Sequence, residues 1–246
     1  MPGAEPLSAT GSDVGVLVVH GFTGNPATMR PLAEALVDAG FTVEMPRLPG
    51  HGTTVEDMMT TSWADWSGAA EAAYTDLAAR CRTVVVAGLS MGGTITAWLA
   101  SRHPEIAGIV CINPAVAARE PEVKEMVRLM IEAGDTVTPG IGSDLADPDA
   151  SEPAYEATPL GCLSSMFDAL DELQPHLAAI TAPLLLMTSP EDHVVEPASS
   201  DHLAASVSGP VERVSLDRSY HVATLDYDKD LIAERTIAFV QKVTAP

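Results

Sequence analysis

Positive charge is scarce in this 246-residue sequence. Lysine and arginine number 13 against 34 aspartates and glutamates, a formal net charge of −21. Such a chain lacks the cations that neutralise phosphate backbones or anionic membrane surfaces, which excludes nucleic-acid binding and polybasic membrane docking. Cysteine is scarcer still. Cys81, Cys111 and Cys162 cannot all pair, and none has the CxxC or Cys/His spacing that holds zinc, so no metal is expected. They read as buried small hydrophobes in a reducing compartment. The opening MPGAEPLSATGSD has neither the basic region nor the apolar run of a signal peptide, which points to the cytoplasm. One uncharged stretch, residues 83–101, has the length of a membrane span. Gly88, Gly92 and Gly93 interrupt it, however, and it reads better as a strand, a tight turn and a helix. Internal repeats and low-complexity tracts are also lacking.

What is present is apolar. At 46% hydrophobic and 19% charged residues, the chain can bury the core of one full-sized domain. Short apolar runs alternate with segments of helical period, the pattern of βα units around a parallel sheet. The strands are expected at 14–19, 41–45, 83–87, 106–112, 183–188 and 211–216, most of them nearly all apolar at the centre, as strands covered on both faces should be. Helices fit at 28–39, 62–79, 91–102, 197–207 and 230–243, with Gly40 closing the first. About seventy residues separate the fourth strand from the fifth, too many for one crossover helix. Val123, Met126, Val127 and Met130 recur there at helical spacing, as do Leu160, Leu163, Phe167 and Leu170, around a Gly/Asp/Pro-rich link at 140–159. The expected organisation is an α/β core over 1–113 and 182–246, with a small helical cap inserted at 114–181.

Gly88-Leu89-Ser90-Met91-Gly92 is a G-x-S-x-G sequence placed between an expected strand and an expected helix. In that setting the glycines permit a strained turn that pushes the serine hydroxyl out of the sheet's carboxyl edge. A serine hydroxyl is a weak nucleophile at neutral pH, so it needs a general base, and the base needs an acid to orient it. On this architecture the chain order is serine, acid, histidine. The loop after strand 183–188 reads Ser189-Pro190-Glu191-Asp192-His193, and the loop after the last strand reads Asp217-Arg218-Ser219-Tyr220-His221. Asp192 and His221 are the expected acid and base. Glu191 is a rival acid. His193 fits better as a loop residue oriented by its neighbours, while Asp217 and Asp226 flank the histidine loop closely enough to support it but read most simply as solvated loop carboxylates. His103, His176 and His202 lack partners at catalytic spacing.

The first long strand ends in His20-Gly21-Phe22-Thr23-Gly24. Acyl transfer needs preorganised donors for an oxyanion, normally the amide after the nucleophile and one from this loop, here Met91 and Phe22. Pro49-Gly50-His51-Gly52 reads as a turn bracing that loop.

Several of these runs carry a resemblance. LVVHGFTGNPATMRPLAEAL (17–36), RLPGHGT (47–53), GLSMGGT (88–94), EDHVV (191–195) and SYHVATLDYD (219–228) closely resemble the bacterial monoacylglycerol lipases, relatives of the small thermostable carboxylesterases of the α/β-hydrolase fold. The resemblance runs from Gly15 onward and continues through the expected cap at IGSDL (141–145) and AYEATP (154–159). It implies Ser90, Asp192 and His221 as triad and Phe22 and Met91 as oxyanion donors. It also implies that Glu152 hydrogen-bonds glycerol hydroxyls and that Ile141 borders the mouth of an acyl tunnel. The expected reaction is hydrolysis of a lipid ester, a monoglyceride foremost, with no metal or other cofactor. A general carboxylesterase or thioesterase with the same triad is the alternative within enzymes, and a ligand-binding receptor on a hydrolase scaffold the one outside them. An apolar cap rim would allow transient contact with a membrane or micelle, and a homodimer is left open.

Overall fold

The computed structural model describes residues 1–245. Seven strands form the main sheet: β1 (Leu7–Ala9), β2 (Val14–Val19), β3 (Thr42–Met45), β4 (Thr83–Leu89), β5 (Gly108–Ile112), β8 (Leu184–Thr188) and β9 (Val211–Ser215). Their order is β1-β3-β2-β4-β5-β8-β9, and every pairing is parallel except that of β1 with β3. The six expected strands are all present, within two residues of their expected ends. The addition is β1, a three-residue edge strand.

Parallel strands need covered faces, and the side chains of β2 show both of them. Leu17 and Val19 enter one apolar cluster with Trp66, Leu77 and Ile95, whereas Val14, Val16 and Val18 enter another with Leu32, Leu36 and Phe239. The first cluster lies under α3 (Trp63–Ala78) and α4 (Met91–Arg102), and the second under α1 (Arg30–Asp38) and α8 (Lys229–Val243). Helix ends follow local chemistry. Ser62 donates its amide to Asp65 Oδ2 at 2.9 Å at the start of α3. Gly40, at φ 88°, follows α1 and donates its amide to the Val37 carbonyl at 2.9 Å.

Between β5 and β8 the chain forms α5 (Pro121–Glu132), β6 (Val137–Pro139), β7 (Ala157–Pro159) and α6 (Leu160–Leu173). The two helical stripes lie on α5 and α6. Where the sequence suggested only an irregular link, β6 and β7 pair antiparallel across a loop. Each is three residues long, too short to leave a periodic signal. Helix α6 buries Cys162, Met166, Phe167, Leu170 and Leu173, but α5 buries only Val127 and exposes Met126, Leu129 and Ile131.

A short helix, α2 (Val55–Met58), and α7 (Ala198–Ser206) complete the α-helices among the described residues. No helix there is long and apolar enough to cross a membrane. The strand-turn-helix reading of 83–101 holds, with β4 running directly into α4. Cys81 departs from expectation. It is only partly buried, unlike Cys111 and Cys162.

Candidate active site

Ser90 sits between β4 and α4 with φ 57° and ψ −118°, a backbone conformation that is costly for a side-chain-bearing residue. The turn is this tight only because its neighbours lack side chains. A Cβ on Gly88 would lie 2.1 Å from the Gly92 carbonyl oxygen, and one on Gly92 would lie 2.2 Å from that of Val19.

Met91 is the first residue of α4, so its amide is one of the helix-start donors without an intrahelical acceptor, at the positive end of the helix dipole. The loop after β2 comes alongside. A Cβ on Gly21 would lie 3.4 Å from Ser90 Cβ, which brings the segment leading to Phe22 beside Ser90. Thr23 holds φ 58°, uncommon for a β-branched residue. Two contacts from the link between β6 and β7 hold it there: Tyr155 donates its amide to the Thr23 carbonyl at 3.3 Å, and Asn25 Nδ2 donates to the Pro153 carbonyl. Behind the loop, His51 packs edge-on against Trp66 at 5.3 Å between ring centroids and against Phe22 at 6.4 Å. His20 accepts the Leu48 amide at 3.1 Å. Burial pushes the pKa of His20 down to about 3, with His51 adding to the effect, and burial pushes that of His51 to about 4. Both rings are neutral wedges at physiological pH.

His221 Nδ1 lies 2.7 Å from Asp192 Oδ2, with the two side chains 8% and 1% exposed. A carboxylate only accepts, so Nδ1 carries the proton and Nε2 presents a lone pair. The other Asp192 oxygen, Oδ1, accepts the amides of Val194 at 2.9 Å and Val195 at 2.8 Å, which fixes the carboxylate plane. Ser90 and His221 line one cavity of about 350 Å³. Among the described residues no hydrogen bond joins Ser90 Oγ to the ring, and in unliganded enzymes this contact commonly tightens only around substrate. Glu191 is exposed. His193 bonds Asp144 at 2.8 Å through Nδ1 and meets the Tyr220 ring edge-on, on the rim of the same cavity. His103 is bound by Glu71 and Glu105, and His202 by Gln174.

Glu152 and Ile141 both line the cavity, and Ile141 is 50% exposed at its edge. Burial raises the pKa of Glu152 to about 7; Asp144 pushes in the same direction and His221 opposes it. Val123 of α5 and Leu163, Met166 and Phe167 of α6 add apolar lining to the same cavity.

Three positioning groups escaped the sequence. Asn113, at φ 43° after β5, donates Nδ2 to the His221 carbonyl at 2.9 Å and to Ser189 Oγ at 3.0 Å, joining two loops. Asp226 is no solvated loop carboxylate. It is 1% exposed and accepts the amides of Tyr220 and Tyr227. Asp144 bonds the amides of His193 and His221. Their partners are mostly backbone groups, which leave no residue-type signal. Asp217, by contrast, is exposed as expected.

A serine on a strained strand-to-helix turn, facing a histidine–aspartate pair across the carboxyl edge of a parallel sheet, defines an α/β-hydrolase. The chain belongs to the Hydrolase_4 family, described as serine aminopeptidase S33, whose model matches residues 12–228. It is 47% identical to the thermostable monoacylglycerol lipase of Bacillus sp. (strain H-257), over 98% of this chain and 96% of that one. It is also 27% identical to a carboxylesterase of Bacillus subtilis (strain 168), over 97% of each. A solved structure from work on LipS and LipT, two metagenome-derived lipolytic enzymes, superposes with a TM-score of 0.93 at 42% identity, covering 98% of this chain and 99% of the other.

Proposed function

We propose that this chain is a carboxylic ester hydrolase that cleaves monoacylglycerols to glycerol and free fatty acid through an acyl-enzyme on Ser90. The observation that carries the reading is that one cavity is lined by Ser90 and His221, by the Glu152 carboxyl and by the apolar side chains of Val123, Leu163, Met166 and Phe167. A glycerol head calls for a few polar groups and an acyl chain for an apolar channel, and the volume lies in the usual range for small-molecule sites. The 47% identity to a protein named monoacylglycerol lipase supports the same substrate class.

In the reaction His221 Nε2 takes the Ser90 proton as Oγ attacks the ester carbonyl, and the amides of Phe22 and Met91 receive the developing oxyanion. Collapse expels the glycerol oxygen, which leaves with the proton returned by His221. Water then enters, gives a proton to His221 and attacks the acyl-enzyme, and Ser90 recovers its proton as the fatty acid departs. Asp192 stays ionised and stabilises the imidazolium. Glu152 binds the glycerol hydroxyls, and Ile141 borders the mouth of the acyl channel. Residues 114–181 act as the cap over a core made of 1–113 and 182–246. Its exposed Met126, Leu129 and Ile131 supply an apolar rim for transient contact with a micelle or membrane that presents the substrate. Cytoplasmic residence fits the three free thiols.

A fluorophosphonate probe tests the nucleophile. The expected result is one adduct on Ser90, abolished in Ser90→Ala together with ester hydrolysis; an unmodified Ser90, or hydrolysis that survives Ser90→Ala, overturns the mechanism.

A further inference from the structure

Asp144 belongs to neither loop that carries the proposed acid and base, yet it binds both. It lies in the link between β6 and β7, with its side chain 15% exposed. Its Oδ2 accepts the His221 amide at 3.0 Å and the His193 amide at 3.1 Å, and Oδ1 faces His193 Nδ1 at 2.8 Å. Its own carbonyl accepts the Val222 amide at 3.1 Å. The contact is reciprocated from the core. Asp226 accepts the amides of Ala146 at 2.8 Å and Asp147 at 3.0 Å alongside that of Tyr220 at 3.0 Å. Each carboxylate therefore supplies acceptors to the backbone that carries the other, and the 144–147 link is bolted across the histidine loop.

Amide-to-carboxylate bonds are charge-assisted, and shielding from water strengthens them. Burial pushes the Asp144 carboxyl up, but the amides of His193 and His221 and the His193 ring outweigh it and hold the group below its ordinary range. The acceptor is thus ionised at neutral pH. His221 is gripped on both sides of its backbone, at the carbonyl by Asn113 of the core at 2.9 Å and at the amide by Asp144 of the link. The His193 amide that shares Asp144 adjoins Asp192 in the chain, so one side chain fixes the spacing of the acid and base loops.

We propose that Asp144 is a positioning residue for the hydrolysis: docking of the 144–147 link holds the His221 loop in register with the Asp192 loop, and the general base is aligned only while that link is seated. The inference rests on the reading of Ser90, Asp192 and His221 as the triad. It also makes this part of the cap a fixed brace for the base rather than a swinging cover.

The test compares wild type, Asp144→Ala and Asp144→Asn by folded fraction, by kcat and KM on a short-chain p-nitrophenyl ester that does not use the glycerol site, and by the rate of fluorophosphonate labelling of Ser90. Misplacement of a catalytic group by about 1 Å costs on the order of 100-fold in rate. Asp144→Ala is therefore expected to lose about 10- to 100-fold in kcat and in labelling rate, with KM within about twofold. Asp144→Asn keeps one acceptor oxygen and is expected to recover part of that loss. A folded Asp144→Ala that hydrolyses and labels at wild-type rates overturns the proposal, even if its Tm has fallen, because a purely structural residue would behave that way. If Asp144→Ala does not fold, Asp144→Asn decides: a kcat deficit at unchanged KM supports the proposal and a wild-type kcat overturns it. Wild type that fails to label overturns the triad reading and this one together, whereas a missing preference for monoglycerides touches only the substrate.

Discussion

His221 Nδ1 lies 2.7 Å from Asp192 Oδ2, a contact almost sealed from water. In the proposed mechanism the pair fixes the tautomer that lets His221 act as base. Asp192→Asn would turn a donor toward Nδ1 and present the protonated nitrogen to Ser90. The analogous change in a serine protease costs about 10⁴-fold in kcat. A loss of that order, with KM little changed, is expected for Asp192→Asn in steady-state ester hydrolysis; Glu191→Gln should stay close to wild type.

Burial brings the Glu152 carboxyl up to the neutral range. With its pKa raised to about 7, the carboxyl donates a hydrogen bond below that pH and only accepts above it. KM for a monoglyceride should change across pH 7, and Glu152→Gln should flatten that change. Stability carries the same sign. The folded state favours the protonated form, so this contribution is full below the ordinary value of 4.5 and is lost as pH rises through about 7. In thermal melts Glu152→Gln should gain Tm over wild type above pH 7 and show no advantage below pH 4.5.

His20 and His51 make the opposite prediction at acid pH. Their pKa values are lowered from 6.5 to about 3 and about 4, so the folded state resists protons that the unfolded chain binds. This stability is present above pH 6.5 and is lost as pH falls toward 3. Denaturant melts of His51→Gln across that window should show a shallower decline than wild type.

The strand leading to the proposed oxyanion loop and the Ser90 turn share one close backbone approach. A Cβ on Gly92 would meet the Val19 carbonyl at 2.2 Å, and backbone cannot step aside as a side-chain tip can. Gly92→Ala should cost about 1–3 kcal/mol or more, seen as a lower Tm. Phosphonate labelling of the folded fraction should slow as well, because the strand moved is the one that leads to Phe22.

The sheet was legible because its central strands β2, β4, β5 and β8 are buried on both faces and therefore nearly continuous apolar runs; β2 spans the same residues by sequence and by structure. Short pieces were not. Strand β1 has three residues with one exposed, and α2 is a single four-residue turn capped by Thr54. At the site, residues whose chemistry depends on their own type, such as Ser90, Asp192 and His221, stand out at strand ends. Asp144 and Asp226 do not, because each binds amides about 80 positions away and an amide looks the same in every residue. The burial of Asp226 was hidden for the same reason.

The proposed function requires a cavity that reads a glycerol head beside an acyl chain. It is tested most directly by kcat/KM for monolauroylglycerol against methyl laurate and dilauroylglycerol, with Ser90→Ala as the blank. A clear preference for the monoglyceride and no turnover by Ser90→Ala are expected; equal or faster turnover of the methyl ester would overturn the substrate assignment and leave a general carboxylesterase.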